Sequence, residues 1–133
     1  AEAYCAWLSR TSGRAVRLPT LAEWRFAATG GDERRIFPWG PGGDHALATC
    51  AVPRREHPPA VGSASADRGP FGHRDLAGGV REWVADRGLA YDARIAGGGW
   101  TSEDLTLLRS DAVESLPASA AFAAIGFRIL VQP

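Results

Sequence analysis

The sequence lacks lysine, asparagine and methionine altogether, and it contains only two cysteines. Without lysine the chain has no amine for a Schiff base, and without asparagine it has lost a common calcium ligand and an amide that reads bases. Cys5 and Cys50 are too few to define a disulfide framework or a metal site. They leave open one bridge or separate thiols, and we expect a buried thiol at Cys5 because its neighbours are apolar.

Charge of one sign and long apolar runs are also missing. Fifteen basic and fifteen acidic residues cancel, so the overall charge attracts neither nucleic acid nor an anionic membrane. No apolar run approaches the roughly 20 residues needed to span a bilayer, and no charged and apolar leader precedes a cleavage site. We therefore expect a cytoplasmic protein whose partner is another protein or a small ligand, with no nucleic acid and no membrane.

The length and composition indicate one folded domain. The chain has 133 residues, of which 45% are hydrophobic and 23% charged, and this is enough to bury a single core. Neither an internal repeat nor a composition shift divides the chain. We predict a single domain over residues 1–133.

Two helices are predicted in the first third of the chain. The first begins at Ala1, shows an apolar face at helical spacing over residues 1–8, and ends near Gly13. The second follows a capping box formed by Thr20 and Glu23 and ends at Gly30. Its residues Leu21, Trp24 and Ala28 are predicted to face the core, with Arg25 in solvent.

The remainder favours short strands and aromatic loops, arranged around a glycine- and tryptophan-rich stretch at residues 71–100. The loop at residues 36–43 holds prolines and glycines, so its aromatic side chains are expected to fill the core from outside regular structure. Residues 113–124 are predicted to form a loop or a short helix. Strands are predicted at Ala60–Ser63, Val80–Ala85, Ala90–Ala96, Leu105–Arg109 and Ile125–Val131.

Eight motifs in one order resemble formylglycine-generating-enzyme-like domains, also called sulfatase-modifying-factor domains. They are AYCAW at 3–7, RLPTLAEWRFAATGG at 17–31, FPWG at 37–40, VGS at 61–63, FGHRDLAGGVREWVAD at 71–86, GGGW at 97–100, LRS at 108–110 and GFR at 126–128. The resemblance implies an α+β, C-type-lectin-like fold of two helices, small twisted antiparallel sheets and long irregular loops. It also implies that several strands usually precede the first helix. Ile125–Val131 would then need a partner strand from elsewhere in the chain or from another subunit, as in an oligomer.

The resemblance implies copper chemistry in the oxidase members, through two cysteines between the glycine–tryptophan turn and the GFR strand. A thiolate pair suits Cu(I), but the corresponding residues 101–108 contain no cysteine. A second branch of the family contains iron-dependent sulfoxide synthases. The three histidines, His45, His57 and His73, lie in separate loops without the spacing of a facial triad, so we expect them to be exposed loop residues.

Calcium is the remaining metal that the resemblance implies. Family members commonly hold it around a Gly-Asn-Val-Trp-Glu-Trp motif, in which this chain keeps Glu82 and Trp83 but has Gly79 for asparagine and Arg81 for the first tryptophan. Glu82 is therefore the candidate ligand of a structural calcium ion. The alternative is that Glu82 pairs with an arginine, either Arg81 or Arg128.

Two functions stay open at this point. The first is a non-catalytic ligand- or protein-binding module, of the kind found in regulatory proteins or in the variable proteins of diversity-generating retroelements, with no catalytic residues of its own. The second is a metal-dependent oxidoreductase, or a fragment of one. For the first, recognition is assigned to residues 101–107 and 113–122, and the predicted ligand-binding residues are Thr101, Ser102, Glu103, Asp104, Thr106, Glu114, Ser115 and Phe122.

Overall fold

Both predicted helices are present in the computed structural model, which describes residues 1–48, 50, 56–88 and 92–132. Helix α1 spans Glu2–Ser12 and ends at Gly13, whose φ of 69° places it in the left-handed region. Helix α2 spans Leu21–Thr29, begins with the predicted capping box and ends at Gly30. Glycine at both C-terminal caps adopts this φ without the steric cost of a Cβ atom.

The predicted buried face is observed in full in α2 but only in part in α1. In α2 the buried residues are Leu21, Trp24 and Ala28, as predicted, but Arg25 is half-buried rather than solvated. In α1 only Cys5 is buried, and Tyr4 remains 46% exposed. The apolar spacing of α1 predicted a wider buried face than the fold covers.

Six short strands form two sheets in the described part of the chain. One sheet has the order β4-β3-β2-β5, and the other pairs β1 with β6. All pairs are antiparallel except β2 with β5, which run parallel. The strands are β1 Val16–Arg17, β2 Arg81–Arg87, β3 Asp92–Ala96, β4 Val113–Pro117, β5 Ile125–Gly126 and β6 Leu130–Val131.

The predicted C-terminal strand Ile125–Val131 is divided between the two sheets. Its first part, β5, pairs with β2, and its last part, β6, pairs with β1. Both partners lie in the same chain, which answers the question of where this segment finds its hydrogen bonds. Pairing with another subunit at this segment remains an untested expectation.

Three other secondary-structure predictions were wrong. The segment Leu105–Leu108 is a 3-10 helix, because Asp104 accepts a hydrogen bond from the Thr106 amide and caps its first turn. Residues 113–117 form strand β4, because β3 offers them an antiparallel partner that local sequence does not reveal. Residues 60–63 form a turn, in which Val61 is 95% exposed. The predicted start of the third strand at Ala90 lies outside the described residues.

The described residues form three core clusters. The central one packs the buried face of α2 against Leu76, Val84 and Ala96. A second contains Phe37, Cys50 and Leu108, with Trp39 stacked on Phe37 at a ring distance of 5.2 Å, as the loop prediction expected. The third surrounds the buried Cys5 thiol with Val16 and Leu18. No helix among the described residues is long and apolar enough to cross a membrane.

The turn after β3 brings the backbone against the central cluster. Gly97 has a φ of 74°, and a Cβ atom at this position would lie 2.6 Å from the Leu76 carbonyl oxygen and 2.9 Å from the Trp24 ring. At Gly98 it would lie 2.5 Å from the Ala77 carbonyl oxygen. Only glycine permits this approach of the turn to residues 76–77.

Replacing Gly97 with alanine is expected to lower the free energy of unfolding by about 2–4 kcal/mol, because strain at positive φ adds to overpacking of the core. Gly42→Ala is the matched control, since nothing lies within 4 Å of a Cβ atom there. Urea unfolding of both variants measures the difference. Equal stability of the two variants would contradict the close packing of this turn.

Candidate functional site

A buried carboxylate joins three distant segments beneath the central sheet. Glu82 in β2 is 6% exposed, and its Oε2 atom accepts a 2.7 Å hydrogen bond from the Trp24 indole nitrogen in α2. Arg128, in the link between β5 and β6, donates from Nη2 to Glu82 Oε1 at 2.8 Å and from Nε to Oε2. The same guanidinium donates to the Arg74 carbonyl oxygen at 3.0 Å. We refer to Trp24, Glu82 and Arg128 as the ionic framework.

The surroundings of Glu82 do not fit a calcium ion. Calcium requires six to eight oxygen ligands, whereas both oxygens of Glu82 already accept hydrogen bonds and one neighbour is the Arg128 cation. Among the residues that the structure describes, no group of three or more His, Cys, Asp or Glu side chains is placed to hold a metal ion. Of the two predicted arginine partners, Arg128 is the one observed. Arg81 instead pairs with Glu114 at 2.5 Å.

Glu82→Gln is expected to lower the free energy of unfolding by about 3–5 kcal/mol, since it leaves the half-buried Arg128 cation without its carboxylate. Glu2→Gln removes an exposed ion pair with Arg87 and serves as the control, with an expected cost of about 0–1 kcal/mol. Chemical unfolding measures both values. If Glu82→Gln costs no more than Glu2→Gln, the ionic framework does not stabilise the fold.

Calcium removal is expected to leave the melting temperature unchanged. A ligand that binds only the folded state raises its stability, so a calcium site would show itself as a lower melting temperature in chelator than in calcium. Differential scanning fluorimetry with excess calcium, excess magnesium or EDTA measures this. A rise specific to calcium would restore the calcium hypothesis for Glu82.

A second buried carboxylate organises the double-glycine turn, and sequence reasoning missed it. Asp67 is fully buried, and its two oxygens accept hydrogen bonds of 2.8 to 3.1 Å from the amides of Leu76, Ala77 and Gly78. Burial outweighs these hydrogen bonds and raises the pKa of Asp67 to about 6. The local sequence Ser-Ala-Asp-Arg-Gly reads as an ordinary turn, so nothing in it indicated a buried acid.

Asp67 should make the fold less stable as pH rises from 4 to 7. Because its folded pKa, about 6, lies above the ordinary pKa of 3.8 for an aspartate, the folded state holds the proton more tightly in this window. The contribution is on the order of 3 kcal/mol, fully present below pH 4 and lost above the folded pKa. The free energy of unfolding, measured against pH for the wild type and for Asp67→Asn, isolates this titration. If the free energy of unfolding changed with pH in the same way for both proteins, Asp67 would not be the group that titrates.

The predicted recognition residues are mostly exposed, with one exception. Ser102 is buried, and its hydroxyl accepts a 3.0 Å hydrogen bond from the Gly99 amide, so it belongs to the turn and not to the surface. Exposed residues of the two segments form what we call the loop surface. They are Thr101, Glu103, Asp104, Thr106, Glu114, Ser115 and Phe122.

Hydrogen bonds fix the backbone beneath the loop surface. Asp104 accepts from the Thr106 amide, and donation from Thr106 holds the pKa of this carboxyl below its usual range. The Glu103 carbonyl oxygen accepts from the His45 ring at 2.8 Å. His45 is therefore a contact of this loop. His57 and His73 lie exposed in other loops, as expected.

Two residues behind the loop surface connect its two segments. The Trp100 indole nitrogen donates to the Ala123 carbonyl oxygen at 3.4 Å, beside Phe122. The Arg81 amide donates to the Ala124 carbonyl oxygen at 2.8 Å, while the Arg81 side chain pairs with Glu114. These contacts place residues 101, 114 and 122 around one part of the fold. The sequence analysis named Arg81 as a departure from the family motif and as a possible partner of Glu82, and did not predict its contact with Glu114.

Arg109 and Arg128 have different kinds of partner. Arg109 pairs with Asp111, with donor–acceptor distances of 2.7 and 2.8 Å. Arg128 donates to the carbonyl oxygens of Arg74 and Asp75. Of these two arginines, Arg128 is the one that links the C-terminal segment to the central stretch.

Two helices, small curled sheets and long connecting loops define an α+β domain of the C-type-lectin-like fold. A family model described as the sulfatase-modifying factor enzyme 1-like domain matches residues 1–133. The chain therefore belongs to this family, as the order of its motifs predicted.

Curated relatives include active and inactive enzymes by name. The chain is 35% identical over 109 residues to inactive C-alpha-formylglycine-generating enzyme 2 of Bos taurus, which covers 69% of the chain and 32% of that protein. It is 34% identical over 97 residues to formylglycine-generating enzyme of Mus musculus, covering 65% of the chain and 24% of that protein. The chain thus matches about a quarter to a third of the length of these relatives.

Solved structures show the same fold. PvdO from Pseudomonas aeruginosa superposes with a TM-score of 0.82 at 26% identity, over 99% of this chain and 58% of that chain. Treponema denticola variable protein 1 superposes with a TM-score of 0.76 at 21% identity, over 90% of this chain and 49% of that chain. The second likeness shows the fold alone.

Proposed function

We propose that this domain is a non-catalytic binding module that recognises a protein or a small ligand through the loop surface. The observation that carries the proposal is the absence of cysteine from residues 101–108. Oxidase chemistry in this family needs a thiolate pair between the glycine–tryptophan turn and the GFR strand, and this segment contains no cysteine. It forms instead a capped 3-10 helix with exposed polar side chains.

A rigid scaffold beneath exposed side chains suits recognition. The backbone of the loop surface is held by the Ser102, Asp104 and His45 hydrogen bonds, so side chains on it can differ without loss of the fold. Preformed backbone also reduces the ordering cost of binding. Phe122, 63% exposed beside these polar groups, supplies an apolar contact of the kind that anchors interfaces.

The comparisons are compatible with this proposal at the level of the family. Relatives at similar identity include one that is named inactive, so the scaffold occurs without the enzyme activity. The fold is also shared with a protein named a variable protein, which supports a scaffold that displays variable loops.

A second candidate is an oxidoreductase whose active centre is completed by residues outside residues 1–133. Its support is the 34% identity to a formylglycine-generating enzyme. In that case the loop surface would lie beside a metal ion whose ligands come from another segment or from another chain.

One assay separates these candidates. We expect purified protein to contain no stoichiometric copper or iron, and to consume no oxygen with a cysteine-containing peptide as thiol substrate. Elemental analysis and an oxygen electrode measure the two quantities, with each metal added back in turn. Metal-dependent oxygen consumption would overturn the binding-module proposal in favour of the oxidoreductase.

The loop surface should tolerate substitution where Ser102 does not. We expect a displayed library randomised at Thr101, Glu103 and Thr106 to keep protease resistance, since these side chains are exposed. Randomising Ser102 should reduce resistance, because its hydroxyl accepts from a buried amide, and loss of that acceptor costs about 1–3 kcal/mol. Equal tolerance at all four positions would contradict a rigid loop framework.

A further inference from the structure

A pocket of about 510 Å³ lies between α2, the loop at residues 31–36 and the turn at residues 109–111. It shares no residue with the loop surface or with the ionic framework. Its charged lining consists of Arg25, Asp32, Glu33, Arg35, Arg109 and Asp111. The volume is that of a pocket for a small organic molecule.

Part of this charge is already neutralised. Arg109 pairs with Asp111 through two hydrogen bonds, which hold the pKa of Asp111 below its usual range. Asp32 pairs with Arg34, and that pairing likewise keeps Asp32 ionised. Glu33, which is exposed, is the one remaining acid of the lining.

Two guanidinium groups of the pocket have no carboxylate partner among the described residues. Arg25 donates to the Asp111 carbonyl oxygen at 3.0 Å, and Arg35 donates to the Pro38 carbonyl oxygen at 2.8 Å. Neither belongs to an ion pair in the described part of the chain. Each is half-buried, where a cation gains more from an anionic partner than it does in open solvent.

Two donors in the pocket wall lack an acceptor. The Arg25 Nε atom and the Ser110 hydroxyl are buried without a hydrogen-bond partner, and Ser110 is only 3% exposed. A buried donor left unpaired costs about 1–3 kcal/mol, and more for a charged group. Both donors come from residues that line the same pocket, where a bound acceptor would relieve this cost.

We propose that this pocket binds the carboxylate of a small organic acid, with Arg25 and Arg35 as cationic contacts and Ser110 as a neutral donor. The planar guanidinium fork matches a carboxylate. The acids in the wall disfavour an anion of higher charge, such as phosphate. Phe26 and Ile36, which also line the pocket, suit an apolar body attached to the carboxylate.

Binding requires local movement at both unpaired donors. The Arg25 Nε atom and the Ser110 hydroxyl are closed to solvent, so a carboxylate reaches them only when both side chains turn toward the pocket, Arg25 leaving the Asp111 carbonyl. The Arg25 Nε–H group is therefore the reporter of binding. This site is independent of the proposed recognition by the loop surface.

The test is a titration of the whole chain with benzoate, followed through the ¹⁵N–¹H signals of the arginine Nε groups. Sodium chloride at matched ionic strength and neutral benzamide are the controls for screening and for the apolar ring. We expect a saturable shift of the Arg25 signal with benzoate and none with benzamide or chloride. Spectra of Arg25→Gln and Arg35→Gln assign the signals.

Arg25→Gln and Arg35→Gln should each weaken benzoate binding about tenfold or more, since each removes a charge-assisted hydrogen bond. Arg14→Gln, at an exposed arginine outside the pocket, should leave it unchanged. Ser110→Ala should weaken binding while the melting temperature stays equal or rises, because it removes an unpaired buried hydroxyl. A purely structural serine would lower the melting temperature and leave affinity unchanged.

Three outcomes would overturn the proposal. They are the absence of a saturable shift across the millimolar range, unchanged affinity in both arginine variants, and phosphate binding as strong as benzoate binding. The last would place a general anion site, and not a carboxylate site, in this pocket. A titration on the folded wild type decides the first outcome even if a variant is unstable.

Discussion

The ion pair between Glu82 and Arg128 is the interaction on which the rest of the domain depends. With the Trp24 indole it connects α2, the central strand β2 and the link between the two C-terminal strands. Removing one partner of a buried ion pair leaves the other charge desolvated, so the three segments stabilise one another. Arg128 lies between β5 and β6, so the pair also holds the C-terminal run at the point where it passes from one sheet to the other.

Close packing in the interior also depends on a glycine turn, whose backbone can approach a neighbouring segment because it carries no side chains. The Gly97–Gly98 turn lies against the carbonyl oxygens of residues 76–77, and the amides of residues 76–78 donate to the buried Asp67. A carboxylate in the interior is thus satisfied by main-chain donors, which keeps a loop-rich region in one conformation. The strands are short, so their backbone hydrogen bonds are few. Side-chain acceptors such as Asp67 supply additional hydrogen bonds to the backbone.

The arrangement separates stability from recognition. The ionic framework and Asp67 hold the interior, while the loop surface presents exposed side chains, of which Asp104 caps the 3-10 helix and Glu114 pairs with Arg81. The pocket bordered by Arg25 and Arg35 differs from both, because buried hydrogen-bond donors in its wall lack an acceptor and lower the stability of the fold. These donors are the groups that the proposed carboxylate would satisfy, whereas the exposed residues of the loop surface carry no comparable cost.

Family, helices and helix ends were determined by the sequence, because capping boxes, terminal glycines and ordered motifs act over a few residues. The capping box at Thr20 and the buried face of α2 are examples. Strand β4, the 3-10 helix at Leu105–Leu108 and the divided C-terminal run were decided by tertiary partners. The same holds for the burial of Asp67 and for Arg25, whose hydrogen-bond partner Asp111 is distant in the chain. Ion pairs between distant residues, such as Glu82 with Arg128, are placed by the fold as a whole, and no local pattern records which of these charges meet.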